Sequence, residues 1–441
     1  MKHLSLPRII AGLLLVIFGL LVLHAPLTVW LTAQGAPVWV KAWKEVLLGV
    51  AAVMLMIDLI RRHRADILND RLLWLIGGYA LLHCVVAFFG QSSPYSLGAG
   101  LLIDLRYVVF FATVYVFLHA YPQYRRRFIV VGIAGAGIVV GVALLQLVLP
   151  HDALKYLGYS DATIKPYILL DENPHFIRMN STLRGPNPLG AYAMMVLLGV
   201  VAYGLAVGRK LTDGRMRALH LFLAIGGAVA LWISYSRSAA LGFAIGLITM
   251  VVLRYRNHPV RWRQYITAGL VIGMLALAGY SLRDTVFFKN IILHDNPTTG
   301  AAYTSDQGHS DSLKEGIAKM LQQPFGAGIG STGSASIGSQ RPLVIENQYL
   351  MVAHEVGWLG LAIFVWLWGL VLWRLWRVKQ DWLATTVLAS GVGLAAIACT
   401  WPVLVDDPVS MIWWGLAAVA LMVQKESKGK KHGTTTHKKA A

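Results

Sequence analysis

Charge is the scarcest commodity in this 441-residue chain. Asp, Glu, Lys and Arg together make up 14% of it, against 56% hydrophobic residues and a mean hydropathy of +0.59. That balance excludes an ordinary soluble domain, in which about a quarter of the residues are charged. Acidic residues are scarcer still, 21 against 39 Lys and Arg, leaving a net charge of +18. An excess of that size raises nucleic acid as a partner, but the basic residues recur at the ends of apolar runs, where anionic lipid headgroups meet them, and no nucleic-acid partner is expected. There are two cysteines, Cys84 and Cys399, both inside apolar runs, which argues against a disulfide outside the membrane. No internal repeat of the transporter kind is visible.

What the chain has instead is apolar runs of the length needed to cross a bilayer, about twenty residues each. Twelve can be read, near 9–24, 38–60, 72–90, 98–119, 128–149, 188–207, 218–235, 238–254, 264–282, 348–373, 383–400 and 409–424. The first has the basic start of a signal peptide but no small-residue cleavage site, so it is expected to stay as a helix. The reading is an all-α integral membrane protein with about twelve transmembrane helices. Residues 1–424 form a single polytopic membrane domain and residues 425–441 a basic, disordered cytoplasmic tail.

Lys and Arg are retained on the cytoplasmic side of short connections. With the N-terminus inside, 26 of the 39 fall inside, 12 outside and one, Arg106, within a span. Both termini are therefore expected to be cytoplasmic, leaving two long outer connections, 150–187 and 283–347.

Long outer connections on a membrane scaffold are where function concentrates. In the first, Arg184-Gly-Pro-Asn-Pro-Leu-Gly leads straight into a helix, its prolines and glycines fixing an irregular backbone that brings Arg184 to the membrane face. Arg237, within Ser234-Tyr-Ser-Arg-Ser-Ala, lies at a tight outer turn where the positive-inside rule gives no reason for a charge. A guanidinium there can fork two phosphate oxygens, aided by serine hydroxyls and the free N–H groups of a helix start. Interfacial anchoring is the structural alternative for both. Arg106 and Asp104 lie inside one span, where charge is costly; two residues apart on a helix, they cannot face each other, so each needs another partner.

The 283–347 loop holds an amphipathic stretch, Gly308-His-Ser-Asp-Ser-Leu-Lys-Glu-Gly-Ile, followed by Pro324-Phe-Gly-Ala-Gly-Ile-Gly. Gly328, Gly330 and Gly333 match a dinucleotide-binding spacing, but no strand precedes them and the match is rejected. His309 is a candidate base on the first stretch. Glu346 and Asn347 stand where a polar start runs into an apolar helix, as catalytic groups or as helix caps. Asn347, Tyr349 and Lys314 are expected to support the loop or the acceptor.

Taken in order, Arg184-Gly-Pro-Asn-Pro-Leu-Gly, Ser236-Arg-Ser-Ala, Pro324-Phe-Gly-Ala-Gly-Ile-Gly, Glu346-Asn-Gln-Tyr-Leu and Glu355-Val-Gly-Trp-Leu-Gly resemble the O-antigen ligase and polymerase superfamily, over roughly residues 98–370. The resemblance implies a multi-pass glycosyltransferase of the bacterial inner membrane with its active site facing the periplasm. Its donor would be a glycan on undecaprenyl diphosphate and its acceptor, in the ligase branch, a sugar hydroxyl of the lipid A core. The family's helix-start motif often reads His-Asn where this chain has Glu346-Asn347, which moves the base toward His309. The resemblance carries over to Arg184, Arg237 and His309 only; with Arg106, suspect as a charge within a span, and Glu346, at a helix start, the candidates are Arg184, Arg237 and Arg106 for the diphosphate and His309 and Glu346 for catalysis.

Displacing a diphosphate from an anomeric carbon requires charge neutralisation on the leaving oxygen and proton removal from the attacking hydroxyl. Arginines suit the first task and a His or Glu the second, and direct attack inverts the centre. No cofactor or metal is expected, since residues 25–38 lack the Asp-x-Asp element of metal-dependent membrane glycosyltransferases. A polymerase of the same superfamily is the nearest alternative. A transporter would carry mid-membrane charges on several helices.

Overall fold

The computed structural model describes residues 5–90, 92–170, 173–208, 213–255, 285, 305–338 and 343–423. Thirteen helices carry the argument: α1 (Leu6–Leu20), α2 (His24–Ala33), α3 (Trp43–Arg61), α4 (Arg71–Phe89), α5 (Pro94–Ala120), α6 (Arg125–Gln146), α7 (Pro186–Val207), α8 (Gly214–Ile233), α9 (Arg237–Tyr255), α10 (Ser305–Gln322), α11 (Gln348–Arg377), α12 (Trp382–Ile397) and α13 (Asp407–Leu421). Among the described residues, eight helical stretches are long and apolar enough to span a bilayer, the first being α1 and α2 taken together, Leu6–Ala33. The shorter apolar helices α12 and α13 join them. The protein is an all-α membrane protein, and eleven of the twelve expected spans fall on these helices or on α3. The twelfth, 264–282, lies outside the described residues, as do Arg283, Arg341 and the 425–441 tail.

The helix starts are written in the sequence. Asp70 caps α4 by accepting from Leu72 N, Asp381 caps α12 through Leu383 N and Ala384 N, and Asp406 caps α13 through Val409 N. α13 is apolar all round, and it is buried all round, the pattern of a helix surrounded by others rather than facing lipid. Trp413 stacks on Trp368 of α11 with ring centroids 4.3 Å apart, and Trp414 stacks on Tyr107 of α5 at 5.7 Å. Lipid tails are as apolar as these side chains, so close packing rather than water exclusion holds the spans together.

At the end of the bundle rich in Lys and Arg, the basic end, Arg374 of α11 grips Asp70 through two hydrogen bonds of 2.6 and 2.9 Å, and Tyr115 adds a third at 2.8 Å. At the opposite end, hereafter the loop end, the 150–187 connection contains a hairpin where the sequence shows only loop: β1 (Ile168–Leu170) pairs antiparallel with β2 (Asn173–Arg178). Its strands are too short to show a period-2 pattern against the helical background.

Helix α11 is interrupted at Gly357, whose φ of 76° and ψ of −176° are open to glycine at little cost. The break frees the carbonyls of His354 and Glu355, and these accept from Ala327 N at 2.6 Å and Gly328 N at 3.2 Å. Trp358 N in turn donates to Pro324 O at 2.9 Å. The Pro324-Phe-Gly-Ala-Gly segment is therefore a plug that satisfies the backbone groups a broken helix exposes.

Candidate active site

α10 starts at Ser305, ahead of the stretch read from sequence, and carries His309 in its second turn. The next element along, the start of α11, brings Glu346 to it. His309 Nδ1 stands 2.5 Å from Glu346 Oε2, both side chains being more than a third exposed at the loop end. Glu346 is held from behind, its backbone N donating to Ser312 Oγ at 2.8 Å, one turn along α10 from His309. The two residues between which sequence reasoning does not choose are thus in contact across two elements.

Asn347 is the N-cap of α11, accepting from Tyr349 N and Leu350 N at 3.0 Å, while its amide donates to Cys399 O at 2.8 Å. Tyr349 donates its hydroxyl to Ala395 O at 2.9 Å. Gln348 accepts from Leu404 N at 3.0 Å. These bonds pin the start of α11 to the segment between α12 and α13. Lys314 is exposed, and its Nζ lies 3.6 Å from Asp311 on its own helix.

The Arg184 and Arg237 motifs come together through Gly190. A Cβ built there would lie 2.8 Å from Ala239 Cβ and from Ser234 Oγ, so only glycine lets α7 pass this close to the turn before α9. Ser236 Oγ lies 3.4 Å from Ala239 N as the cap of α9, and Arg237 opens that helix. Tyr235 in this turn has φ 46°, and burial holds its hydroxyl above the usual tyrosine range. Arg178, which sequence reasoning passes over, is what ties the turn down. Its Nε donates to Ser234 O at 2.9 Å and its Nη2 to Asn187 Oδ1 at 2.5 Å. The signal that singles out Arg237, an arginine on an expected outer connection where no retention rule places one, applies equally to Arg178.

Arg184 is exposed and acts electrostatically on Asp406, lowering the carboxyl's proton affinity. Burial and the neighbouring Asp407 charge outweigh it and push Asp406 up to about 6. Asp407 is the centre of a buried cluster. It lies 2.8 Å from Lys44 Nζ and 3.2 Å from His24 Nε2 and pairs with the Arg106 guanidinium, which also meets Val405 O and, at 3.8 Å, Glu45. Arg106 is therefore 8% exposed and committed to protein partners, beneath the surface that Arg184 occupies. Asp104 looks the other way, toward His83 Nε2 at 3.9 Å and the buried Glu355, whose Oε1 accepts from Thr332 N at 3.2 Å. The two ions of one span do have separate partners, as their spacing requires.

Taken together, this is a multi-pass membrane protein whose loop end carries a His–Glu pair and, at the starts of two other helices, two arginines. The chain is similar to the O-Antigen ligase family, whose model matches residues 219–365, about a third of it. The match takes in Arg237, His309, Lys314, Glu346, Asn347 and Tyr349, with Arg184 and Arg106 outside it. No curated protein matches the chain.

Proposed function

We propose that the protein is an inverting O-antigen ligase that moves a glycan from undecaprenyl diphosphate to a sugar hydroxyl of the lipid A core, at the periplasmic face of the bacterial inner membrane. The observation that carries this reading is the His309–Glu346 contact, a base with its orienting carboxylate, at the same end of the bundle as Arg184 and Arg237. His309, held by Glu346, takes the proton of the acceptor hydroxyl as the hydroxyl oxygen attacks the anomeric carbon. The bond from that carbon to the diphosphate oxygen breaks, and Arg184 and Arg237 stabilise the charge that collects there. Arg106 contributes from below, by holding Asp407 and through it the start of α13. Asn347 and Tyr349 fix the start of α11, and Lys314 lies on the acceptor side of α10. The arginines supply the electrostatic work, so no metal or cofactor enters the scheme.

The test is transfer in vitro: purified protein, undecaprenyl-diphosphate-linked oligosaccharide and rough lipopolysaccharide, with a chelator present. Capped lipopolysaccharide is the expected product. Growth of carrier-linked chains with no capped lipopolysaccharide would replace the ligase by a polymerase of the same superfamily, and an unconsumed donor with folded protein would remove both.

A further inference from the structure

α10 carries an apolar row that is exposed among the described residues. Leu313, Ile317 and Leu321 follow one another at intervals of four, which puts them along one face, and they are 43%, 41% and 61% exposed. The neighbouring face is already used, since Gly316 packs against Leu350 and Ile345 at the start of α11. Beyond the end of the helix, Phe325 is 89% exposed at the tip of the plug.

The surroundings of this row say what it meets. Trp358 Nε1 donates to Met320 O at 2.8 Å, so the C-terminal end of α10 sits on the lipid-facing indole that follows the break in α11. Gly328 of the plug approaches Gly90 at the end of α4, where Phe88 and Phe89 point outward. Among the described residues the row thus lies next to the exposed aromatic ends of two membrane spans, a surface suited to lipid. Lys314 stands beside it, where it can reach headgroups.

We infer that α10 is an interfacial helix lying on the outer leaflet, with Leu313, Ile317, Leu321 and Phe325 inserted about 5–10 Å into the headgroup and acyl boundary. His309 occupies the next position up the same row. The inserted helix therefore holds the His309–Glu346 pair at headgroup height, where a lipid-borne diphosphate and a lipid-borne acceptor both present their polar ends. The placement of the helix rests on its own geometry; only its consequence for His309 rests on the proposed ligase reaction.

The experiment is a depth measurement independent of transfer. In a Cys84→Ser/Cys399→Ser background, Ile317→Cys and, as the opposite-face control, Glu315→Cys are labelled with an environment-sensitive fluorophore. The labelled proteins go into nanodiscs of phosphatidylethanolamine and phosphatidylglycerol, with or without brominated acyl chains. The expected result is blue-shifted emission at position 317 that brominated chains largely quench, with water-like, unquenched emission at 315. Water-like emission at 317, or blue-shifted emission that bromine does not quench, overturns the proposal, the latter because protein rather than lipid covers the row. Equal quenching at both positions overturns it too, since the helix would then be immersed. An unshifted monomer peak on gel filtration establishes that each variant is folded before it is read.

Discussion

The imidazole of His309 and the carboxylate of Glu346 meet at 2.5 Å although one belongs to a loop helix and the other to the start of a membrane span. The contact joins separate elements, and Ser312 braces Glu346 from the His309 helix.

His309→Ala is therefore expected to lower the transfer rate by about two to four decades, the range for a lost general base. Glu346→Gln keeps the shape and an acceptor oxygen but loses the charge, and a smaller loss is expected. Single-turnover transfer separates the two from donor binding, which should be unchanged in both. Wild-type rates in His309→Ala would remove the base assignment.

Arg184→Ala and Arg237→Ala are each expected to cost about 2–4 kcal/mol of transition-state stabilisation, or roughly two to three decades in rate. Lys at either position should recover only part of it, because a point charge cannot fork two phosphate oxygens. Donor titration with inorganic pyrophosphate as competitor provides the check: weaker competition in the variants is required. Competition as strong as in wild type would show that the diphosphate is held elsewhere.

Arg178→Ala should act through Arg237. Its two hydrogen bonds, to Ser234 O and Asn187 Oδ1, tie β2, the start of α7 and the turn before α9 into one unit. Their loss is expected to cost about 1–3 kcal/mol of stability and to lower transfer by less than Arg237→Ala does. In the double variant with Arg237→Ala the second loss should be smaller than in wild type, as expected for residues sharing one function. Fully additive losses would make Arg178 a purely structural residue.

The spans are legible because an apolar run of about twenty residues is too long for a strand and too water-averse for a surface helix. The caps at Asp70, Asp381 and Asn347 follow from residue type alone. Arg184, Arg237 and His309 stand out because each breaks a rule that its neighbours obey. What a single chain cannot display is contact across elements. The His309–Glu346 pair joins two helices, the Asp407 cluster draws on α2, α3, α5 and α13, and Gly190 matters only once Ala239 and Ser234 are seen against it. Arg106 shows the cost of reading alone: a charge in a span is rightly suspect, but its partner, Asp407, lies three hundred residues away.

Asp406 offers a pH-dependent test of the same region. Its carboxyl is raised from 3.8 to about 6, first by burial and then by the Asp407 charge, with Arg184 opposing. A carboxyl raised on folding favours the folded state while it is protonated. That contribution is complete below 3.8 and is lost as pH rises through about 6. Asp406→Asn carries no charge at any pH and can still cap α13 through Val409 N. Its melting temperature in detergent should match wild type near pH 4 and exceed it near pH 8, where the stability gap is on the order of 2–3 kcal/mol. In an Arg184→Ala background the gap at the higher pH should widen, because a positive charge that favours the ionised carboxyl is removed while Asp407 stays. A difference that does not change with pH would mean that Asp406 is ionised throughout and that Arg184, not burial, governs it.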